Sequence, residues 1–282
     1  MIDLHTHSTS SDGVLSPTEL VVYAAKRGVS VLALTDHDTV TGLAEAKQAA
    51  SKIGITFVPG IELQIQWPTG EFHLLGLGLK TITPELEKII NLLQNGRKNR
   101  NLEVFSRMNE AGFDISLKEM MKDYNITTLG RPHIAAWMVD HKVVKNRQQA
   151  FDKYLAKGRP FFVERVSASL DESIVAITES GGIPVLAHPL SLYVSWGKIE
   201  PVLEDLHERG VEGLEAWHPG AREVECIRLE KLARKLGFFV TAGSDYHGKS
   251  VRPDREVGKT AGGHNIEDRF WTDELGPALQ LV

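Results

Sequence analysis

Short β-rich runs and amphipathic helical runs take turns along this chain, and nearly every β-rich run ends in histidine or carboxylate residues. Such alternation restricts the fold to a parallel sheet with helices packed outside it. Residues 2–7 read as a first strand. Ser16-Pro17-Thr18-Glu19 then opens a helix, with Ser16 as N-cap, Pro17 at the first position and Glu19 closing a capping box, and this helix ends at Gly28. Residues 29–35 form a near-continuous apolar run, as a buried parallel strand requires. A helix from about Thr41 stops at Gly54, residues 55–63 are a third strand, and residues 72–79 a fourth, reached through a turn at Pro68-Thr69-Gly70.

The rhythm then changes. Residues 83–157 are mostly polar and helical, with helices expected over 84–111, 117–124, 132–140 and 147–156 and no convincing strand. Alternation resumes with a helix over 169–180, a strand over 183–187, a helix over 199–209, a strand over 211–216, a helix over 222–236 and a last strand over 238–244; the tail after His247 reads as irregular. The expected division is therefore 1–82 with 164–282 as an α/β body, and 83–163 as a helical insertion or cap. About seven strands are compatible with an irregular barrel or with an open doubly wound sheet.

Composition bounds the function. A chain of 282 residues, 42% hydrophobic and 24% charged, needs no disulfide to fold, and its single cysteine, Cys226, can form none within the chain. A formal net charge of −5 argues against a broad basic surface for duplex nucleic acid. No apolar run approaches the roughly 20 residues that span a bilayer, and Met1 to His7 carries no charged leader or apolar signal core, so the cytoplasm is the expected location.

The polar residues at the strand ends carry the chemistry. They are Asp3, His5, His7 and Asp12, then Asp36-His37-Asp38, Glu62, His73, His188-Pro189, Glu215 with His218, and Asp245 with His247. In a β/α barrel such ends converge on one mouth, where active sites lie. Two residues apart on a strand, His5 and His7 leave one face together, and Asp245 and His247 repeat the pattern. Imidazole with carboxylate suits Zn²⁺, Mn²⁺ or Fe²⁺. Glu62 is the preferred bridge between two ions, with a water or hydroxide held between them as the expected nucleophile. Any one strand-end histidine is usually just a satisfied polar residue; seven of them mixed with carboxylates are not explained by scatter.

Asp3-Leu4-His5-Thr6-His7-Ser8 with Ser11-Asp12-Gly13, Thr35-Asp36-His37-Asp38-Thr39, Gly60-Ile61-Glu62, Phe72-His73-Leu74-Leu75-Gly76, Ala187-His188-Pro189 and Gly243-Ser244-Asp245-Tyr246-His247 together resemble the PHP (polymerase and histidinol phosphatase) family. The resemblance runs from residue 1 to about 248. It implies an irregular (β/α)7 TIM-like barrel with two or three divalent ions, Mn²⁺ first among the candidates and Fe²⁺ or Zn²⁺ after it. It places His5, His7, Glu62 and Asp245 on one ion, extends Glu62 to a second held by His73 and His188, and gives Asp12, His37 and His247 to a third. Within the insertion, Gly130-Arg131-Pro132-His133 and Ala150-Phe151 through Gly158-Arg159-Pro160 are similar to the branch that removes the 3′-phosphate of nucleoside 3′,5′-bisphosphates and degrades short 5′-phosphorylated RNA from the 5′ end. That similarity makes Arg131 and His133, at an apparent helix start, the expected grip on the second phosphate. Arg159 is a further substrate-binding candidate that could instead only organise the cap. His218 is either the acid for the leaving oxygen or a supporting residue. Many relatives carry an arginine–tyrosine pair after the His-Pro step; here Tyr193 stands without the arginine. The competing readings are a histidinol-phosphate phosphatase and a noncatalytic metal-binding module. The expected partner is a small nucleotide or an RNA 5′ end, with no duplex DNA and no membrane; the sequence does not give an oligomeric state.

Overall fold

Seven strands lie side by side in sequence order in the computed structural model, which describes residues 1–123 and 129–280. In chain order the elements are β1 (Ile2–Asp3), α1 (Pro17–Lys26), β2 (Val31–Leu34), α2 (Leu43–Ile53), β3 (Thr56–Ile65), β4 (Phe72–Leu77), α3 (Pro84–Glu110), α4 (Leu117–Asp123), α5 (Arg131–Asp140), α6 (Arg147–Ala150), α7 (Leu170–Glu179), β5 (Ile183–Leu186), α8 (Ile199–Glu208), β6 (Gly213–Trp217), α9 (Glu223–Leu236) and β7 (Phe239–Ala242). The last strand returns to the first: the Leu4 amide bonds Ala242 O at 3.3 Å, the Asp245 amide bonds His5 O at 2.9 Å, and Thr6 bridges Tyr246 in parallel. A nearly closed barrel results, and it decides between the two architectures left open by the strand count.

Local chemistry explains the elements. Ser16 Oγ accepts the Glu19 amide hydrogen at 3.2 Å while the Glu19 carboxylate accepts that of Ser16 at 2.8 Å, so α1 starts where the sequence says it should; losing such a cap costs about 1 kcal/mol. Strands β2, β4 and β5 are buried along their whole length. Residues such as Leu32, Leu74 and Leu186, fully removed from water, each contribute about 1.5–3 kcal/mol.

Three expectations need correction. The sheet is not wholly parallel, because β4 runs antiparallel to both β3 and β5. A parallel partner would need a crossover of a dozen or more residues, and the short turn through Pro68-Thr69-Gly70 permits only a hairpin. Strand β1 stops at Asp3, so His5 and His7 lie in an irregular segment beyond it, and β7 likewise stops at Ala242 before Asp245 and His247. The tail is not all irregular, since residues Phe270–Leu275 form a π-helical turn followed by a short helix.

The described chain falls into two compact units, Met1–Asn91 with Ser167–Val282, and Leu92–Val166. The first contains the barrel. The second has its own apolar core of Val104, Phe105, Met108, Ile134, Trp137, Met138, Leu155 and Phe161. The expected end of the helix at Tyr124 lies outside the described residues. No helix among the described residues is long and apolar enough to cross a membrane.

Candidate metal centre

Glu62 sits within β3 and is fully buried, an arrangement too costly for a carboxylate unless positive charge surrounds it. Its two oxygens face different partners. Oε1 lies 2.8 Å from His73 Nδ1 and 3.1 Å from His188 Nε2; Oε2 lies 2.9 Å from His37 Nδ1, 3.2 Å from His7 Nε2 and 3.4 Å from His5 Nε2. Because β4 is reversed, its first residues reach this end of the barrel, and His73 joins histidines from the far ends of parallel strands. Asp245 Oδ1 approaches His7 Nε2 and His247 Nδ1, each at 3.3 Å, and Asp12 Oδ1 approaches His247 Nε2 at 3.3 Å.

These donors form overlapping groups whose atoms lie within 4.8 Å of one another: His7, Asp12, His37 and His247; His5, His7 and Asp245; His5, Glu62 and His188; His37, Glu62 and His73. Each of the ligand candidates named from the sequence falls in at least one group. Despite the short distances, Glu62 Oε2, Asp12 Oδ1, His37 Nδ1 and His7 Nδ1 are buried with no hydrogen-bond partner among the described residues. Lone pairs that converge without bonding one another are what divalent cations satisfy, and the N/O donor set fits Mn²⁺, Fe²⁺ or Zn²⁺.

The outward nitrogens of three rings, those of His5, His73 and His188, are tied down. His5 Nδ1 meets Glu215 Oε1 at 2.9 Å, His73 Nε2 meets Gln64 Oε1 at 2.9 Å, and His188 Nδ1 meets Ser191 Oγ at 2.9 Å. Ser191 Oγ spends its own proton on Glu71 O, so it accepts from His188. Each bond puts the imidazole proton on the outward nitrogen and leaves the inward one with a free lone pair, as metal-binding histidines require. Glu215 Oε2 also accepts the His188 amide hydrogen at 2.8 Å, holding His188 at φ 27. Asp38 and Asp245 share this left-handed backbone, at φ 55 and 52. Strain of that kind costs about 1–3 kcal/mol per residue and collects at functional sites.

The loop carrying Asp12 is held by Asp36, whose carboxylate accepts from the Ser8 amide and hydroxyl, each at 2.7 Å, and from Ser11 Oγ at 2.6 Å. At Gly13 a Cβ would meet the His7 carbonyl oxygen at 2.5 Å, so only glycine lets this loop fold back. Buried Asp3 ties the same end together, accepting from the Ser244 amide at 3.0 Å and the Gly258 amide at 2.8 Å; burial raises its pKa to about 6.

Electrostatics follow the same logic. Burial opposes charge on His5 and His7, yet the carboxylates beside them prevail: Glu215 and Glu62 raise His5 well above its ordinary value, and Asp245 and Glu62 raise His7 to about 9. Burial would raise the Glu62 carboxyl, but His37, His73 and His5 hold it well below the usual range. Burial outweighs Glu62 and Asp12 at His37 and lowers it to about 4; where the carboxylates prevail, at His5 and His7, binding of a cation would have to displace a proton.

A cavity of about 430 Å³ opens on this cluster, and His37, Glu62, His73, His188, His218 and Asp245 line it. His218 Nδ1 accepts the Gly220 amide hydrogen at 3.0 Å, which leaves the proton on Nε2, 3.4 Å from Asp245 Oδ2. Tyr193 lines the mouth, 79% exposed and at φ 53, with Leu192 O gripped by Thr69 Oγ1 at 2.7 Å and Trp67 Nε1 at 3.2 Å. In the second unit, Arg131 begins α5, and buried His133 accepts the Gly130 amide hydrogen on Nδ1 at 3.0 Å, a capping contact; Arg159 is exposed in a turn. Gln64 and Ser191 were not singled out from the sequence, and Glu215 was named there among the strand-end residues without being given a role. Only Glu215 had a visible signal, its place three residues before His218 at a ligand-bearing strand end.

A family model described as "PHP domain" matches residues 3–158. The chain is 35% identical over 92% of its length to a 3′,5′-nucleoside bisphosphate phosphatase from Chromobacterium violaceum, covering 91% of that protein. It is 34% identical over 87% of its length to a 5′-3′ exoribonuclease from Haemophilus influenzae, covering 89% of it. Among solved structures, an amidohydrolase from Chromobacterium violaceum with bound sulfate superposes with a TM-score of 0.85 at 32% identity, over 99% of this chain and 96% of that one.

Proposed function

The chain belongs to the PHP domain family, a metal-dependent phosphoesterase, and from that premise we propose that it removes the 3′-phosphate of nucleoside 3′,5′-bisphosphates at the Glu62-centred cluster. The observation that carries the proposal is Glu62 itself: buried, with one oxygen toward His73 and His188 and the other toward His5, His7 and His37, it has the geometry of a bridge between two cations. His5, His7, Glu62 and Asp245 would hold one ion, Glu62, His73 and His188 a second, and Asp12, His37 and His247 a third. Divalent ions bound there, Mn²⁺ by preference, would polarise the phosphoryl oxygens and supply an activated water.

The chain's own residues orient and recognise. Asp245 and Glu62 fix the rings that face the phosphoryl group. In our reading His218 is a neutral Nε2–H donor that steadies Asp245 or the departing oxygen, because an Nδ1 engaged with Gly220 N–H cannot hold the second proton that delivery as an acid needs. The exposed Tyr193 ring offers a stacking face for the nucleobase, and Arg131 and His133 recognise the 5′-phosphate. The likeness to the exoribonuclease supports a second activity on the same chemistry. A 5′-phosphorylated RNA end carries its first phosphodiester on the 3′-oxygen of a 5′-phosphorylated nucleotide, so the bisphosphate is the one-nucleotide limit of that substrate. The single cysteine is consistent with action in the cytoplasm.

Phosphate release from adenosine 3′,5′-bisphosphate and from histidinol phosphate, with Mn²⁺ present, tests the proposal. We expect a strong preference for the bisphosphate, lost when Arg131 and His133 are both changed to alanine. Preference for histidinol phosphate would overturn the substrate assignment, and equal loss by the double variant on both esters would remove the role of Arg131 and His133.

A further inference from the structure

The cavity over the metal cluster is short of positive charge from the protein. Glu62, Glu71, Glu215 and Asp245 all contribute to its wall, and the loop after β5 brings only Pro189, Leu190, Ser191 and Tyr193. Among the described lining residues, and leaving the histidines aside, the one cation is Arg252. It comes from the segment after the last strand, where the sequence showed no motif.

Its backbone is fixed while its side chain is not spoken for. Gly248, at φ 102, turns the chain after His247, and its carbonyl accepts the amide hydrogens of both Val251 and Arg252, at 3.0 and 2.8 Å. The Arg255 amide then bonds Arg252 O at 3.1 Å, so the turn is tied at both ends. Arg252 is exposed at the mouth, and its guanidinium is ion-paired with no described residue. Asp245 and, after burial's opposing effect, Asp12 act on it from beyond contact range and raise its pKa. Beneath the same wall lies Arg255, buried, with Nε and Nη1 lacking hydrogen-bond partners and only a loose 3.6 Å pair to Asp254. Its Nη2 would stand 3.1 Å from a Cβ placed on Gly220, a cavity-lining residue.

A guanidinium held near a carboxylate cluster, yet not bonded to it, is placed for an anion that sits between them. Resting on the phosphoesterase reading of this site, we propose that Arg252 clamps the phosphoryl group undergoing transfer, donating to its non-bridging oxygens as charge builds on them. An arginine fork matches two such oxygens at once, which a lysine cannot do. The water–phosphorus bond forms and the phosphorus–ester oxygen bond breaks, the ester oxygen leaving as the alcohol with the proton the attacking water gives up, while Arg252 stays protonated throughout. Since the clamp acts on the reacting phosphate, it serves every phosphomonoester alike, unlike a residue that reads the second phosphate.

The test compares wild type, Arg252→Ala and Arg252→Lys in the Mn²⁺-loaded protein, with p-nitrophenyl phosphate and adenosine 3′,5′-bisphosphate as substrates. Calorimetric binding of orthovanadate, a mimic of the transition state, gives a readout that needs no turnover. The alanine variant should lose about 100-fold in kcat on both esters, the size expected for one donor to developing charge. It should bind orthovanadate at least tenfold more weakly, with lysine recovering part of each loss and with Mn²⁺ content and thermal unfolding unchanged. Values within twofold of wild type would overturn the proposal, as would a loss matched by lost Mn²⁺ or confined to the bisphosphate. If wild type cleaves p-nitrophenyl phosphate but not the bisphosphate, the nucleotide assignment fails while the Arg252 comparison stands on the simpler ester and on orthovanadate.

Discussion

Replacing Glu215 by glutamine changes one atom and should cost the centre much of its metal affinity. Glu215 is buried beside the cluster, its Oε1 taking the proton of His5 Nδ1 at 2.9 Å and its Oε2 the His188 amide hydrogen at 2.8 Å. Both partners are donors, and only a carboxylate offers them two acceptors. A glutamine must turn its NH₂ toward one of them. If the NH₂ faces His5, the ring recovers a bond only by moving its proton to Nε2, which removes the lone pair aimed at the cluster. If it faces His188, the left-handed backbone at that residue loses its tether. A hydrogen bond to a charged group is worth about 1.5–3 kcal/mol, and a supporting bond of this kind is worth about 10–100-fold in metal affinity. At about 1.4 kcal/mol per tenfold the two figures agree. Mn²⁺ titration by calorimetry on metal-stripped protein, with thermal unfolding in EDTA as a control, reads the effect. Affinity within twofold of wild type would refute the idea that Glu215 sets the His5 tautomer.

Other consequences follow from the same geometry. Glu62→Gln removes the charge between the two groups of histidines, so metal content should fall and kcat drop by about 100-fold or more; full Mn²⁺ content by elemental analysis would contradict the bridging role. Tyr193→Ala should raise KM for the bisphosphate about tenfold, in the range of one lost base stack, and raise it far less for p-nitrophenyl phosphate; equal shifts in steady-state kinetics would exclude stacking. Glu230 tests stability against pH. Burial alone would raise its carboxyl, but Arg269, Trp217 and Arg234 outweigh burial and lower its pKa to about 2. With the folded pKa below the unfolded one, its stabilisation is present above about pH 4.5 and fades as pH falls toward 2, and it amounts to about 1–2 kcal/mol once partial exposure is allowed for. The gap between wild type and Glu230→Gln in urea unfolding should therefore shrink from pH 7 to pH 2.5; a constant gap would contradict this.

The sequence made the order of strands and helices legible because its two signals, period and punctuation, are local, while closure of the sheet into a barrel was implied only by the family resemblance. Ser16 with Glu19 announced α1, and the apolar run before Asp36 announced β2. The reversal of β4 was less visible, since Phe72 to Leu77 is buried on both faces whichever way it runs, and direction is set by the length of the turn before it. The ligand candidates stood out as a set, because seven histidines mixed with carboxylates at strand ends are not explained by scatter, although any one of them would be. Reaching the site did not depend on strands continuing through His5, His7, Asp245 and His247; left-handed residues and irregular segments bring these side chains inward, and no local pattern encodes that. Supporting residues were harder still. Gln64 and Ser191 are ordinary polar residues until a ring nitrogen is seen beside them, and Arg252 belongs to a tail whose turn depends on Gly248 and on contacts made only after the barrel closes.

Removal of the 3′-phosphate from a nucleoside 3′,5′-bisphosphate at the Glu62-centred cluster has a distinct product signature. Identifying the products formed from adenosine 3′,5′-bisphosphate, by phosphorus NMR with and without Mn²⁺, tests it most directly. Inorganic phosphate and adenosine 5′-monophosphate are expected, formed only when a divalent ion is supplied. Adenosine 3′-monophosphate as the product, or no phosphate release with any of Mn²⁺, Fe²⁺ or Zn²⁺, would contradict it.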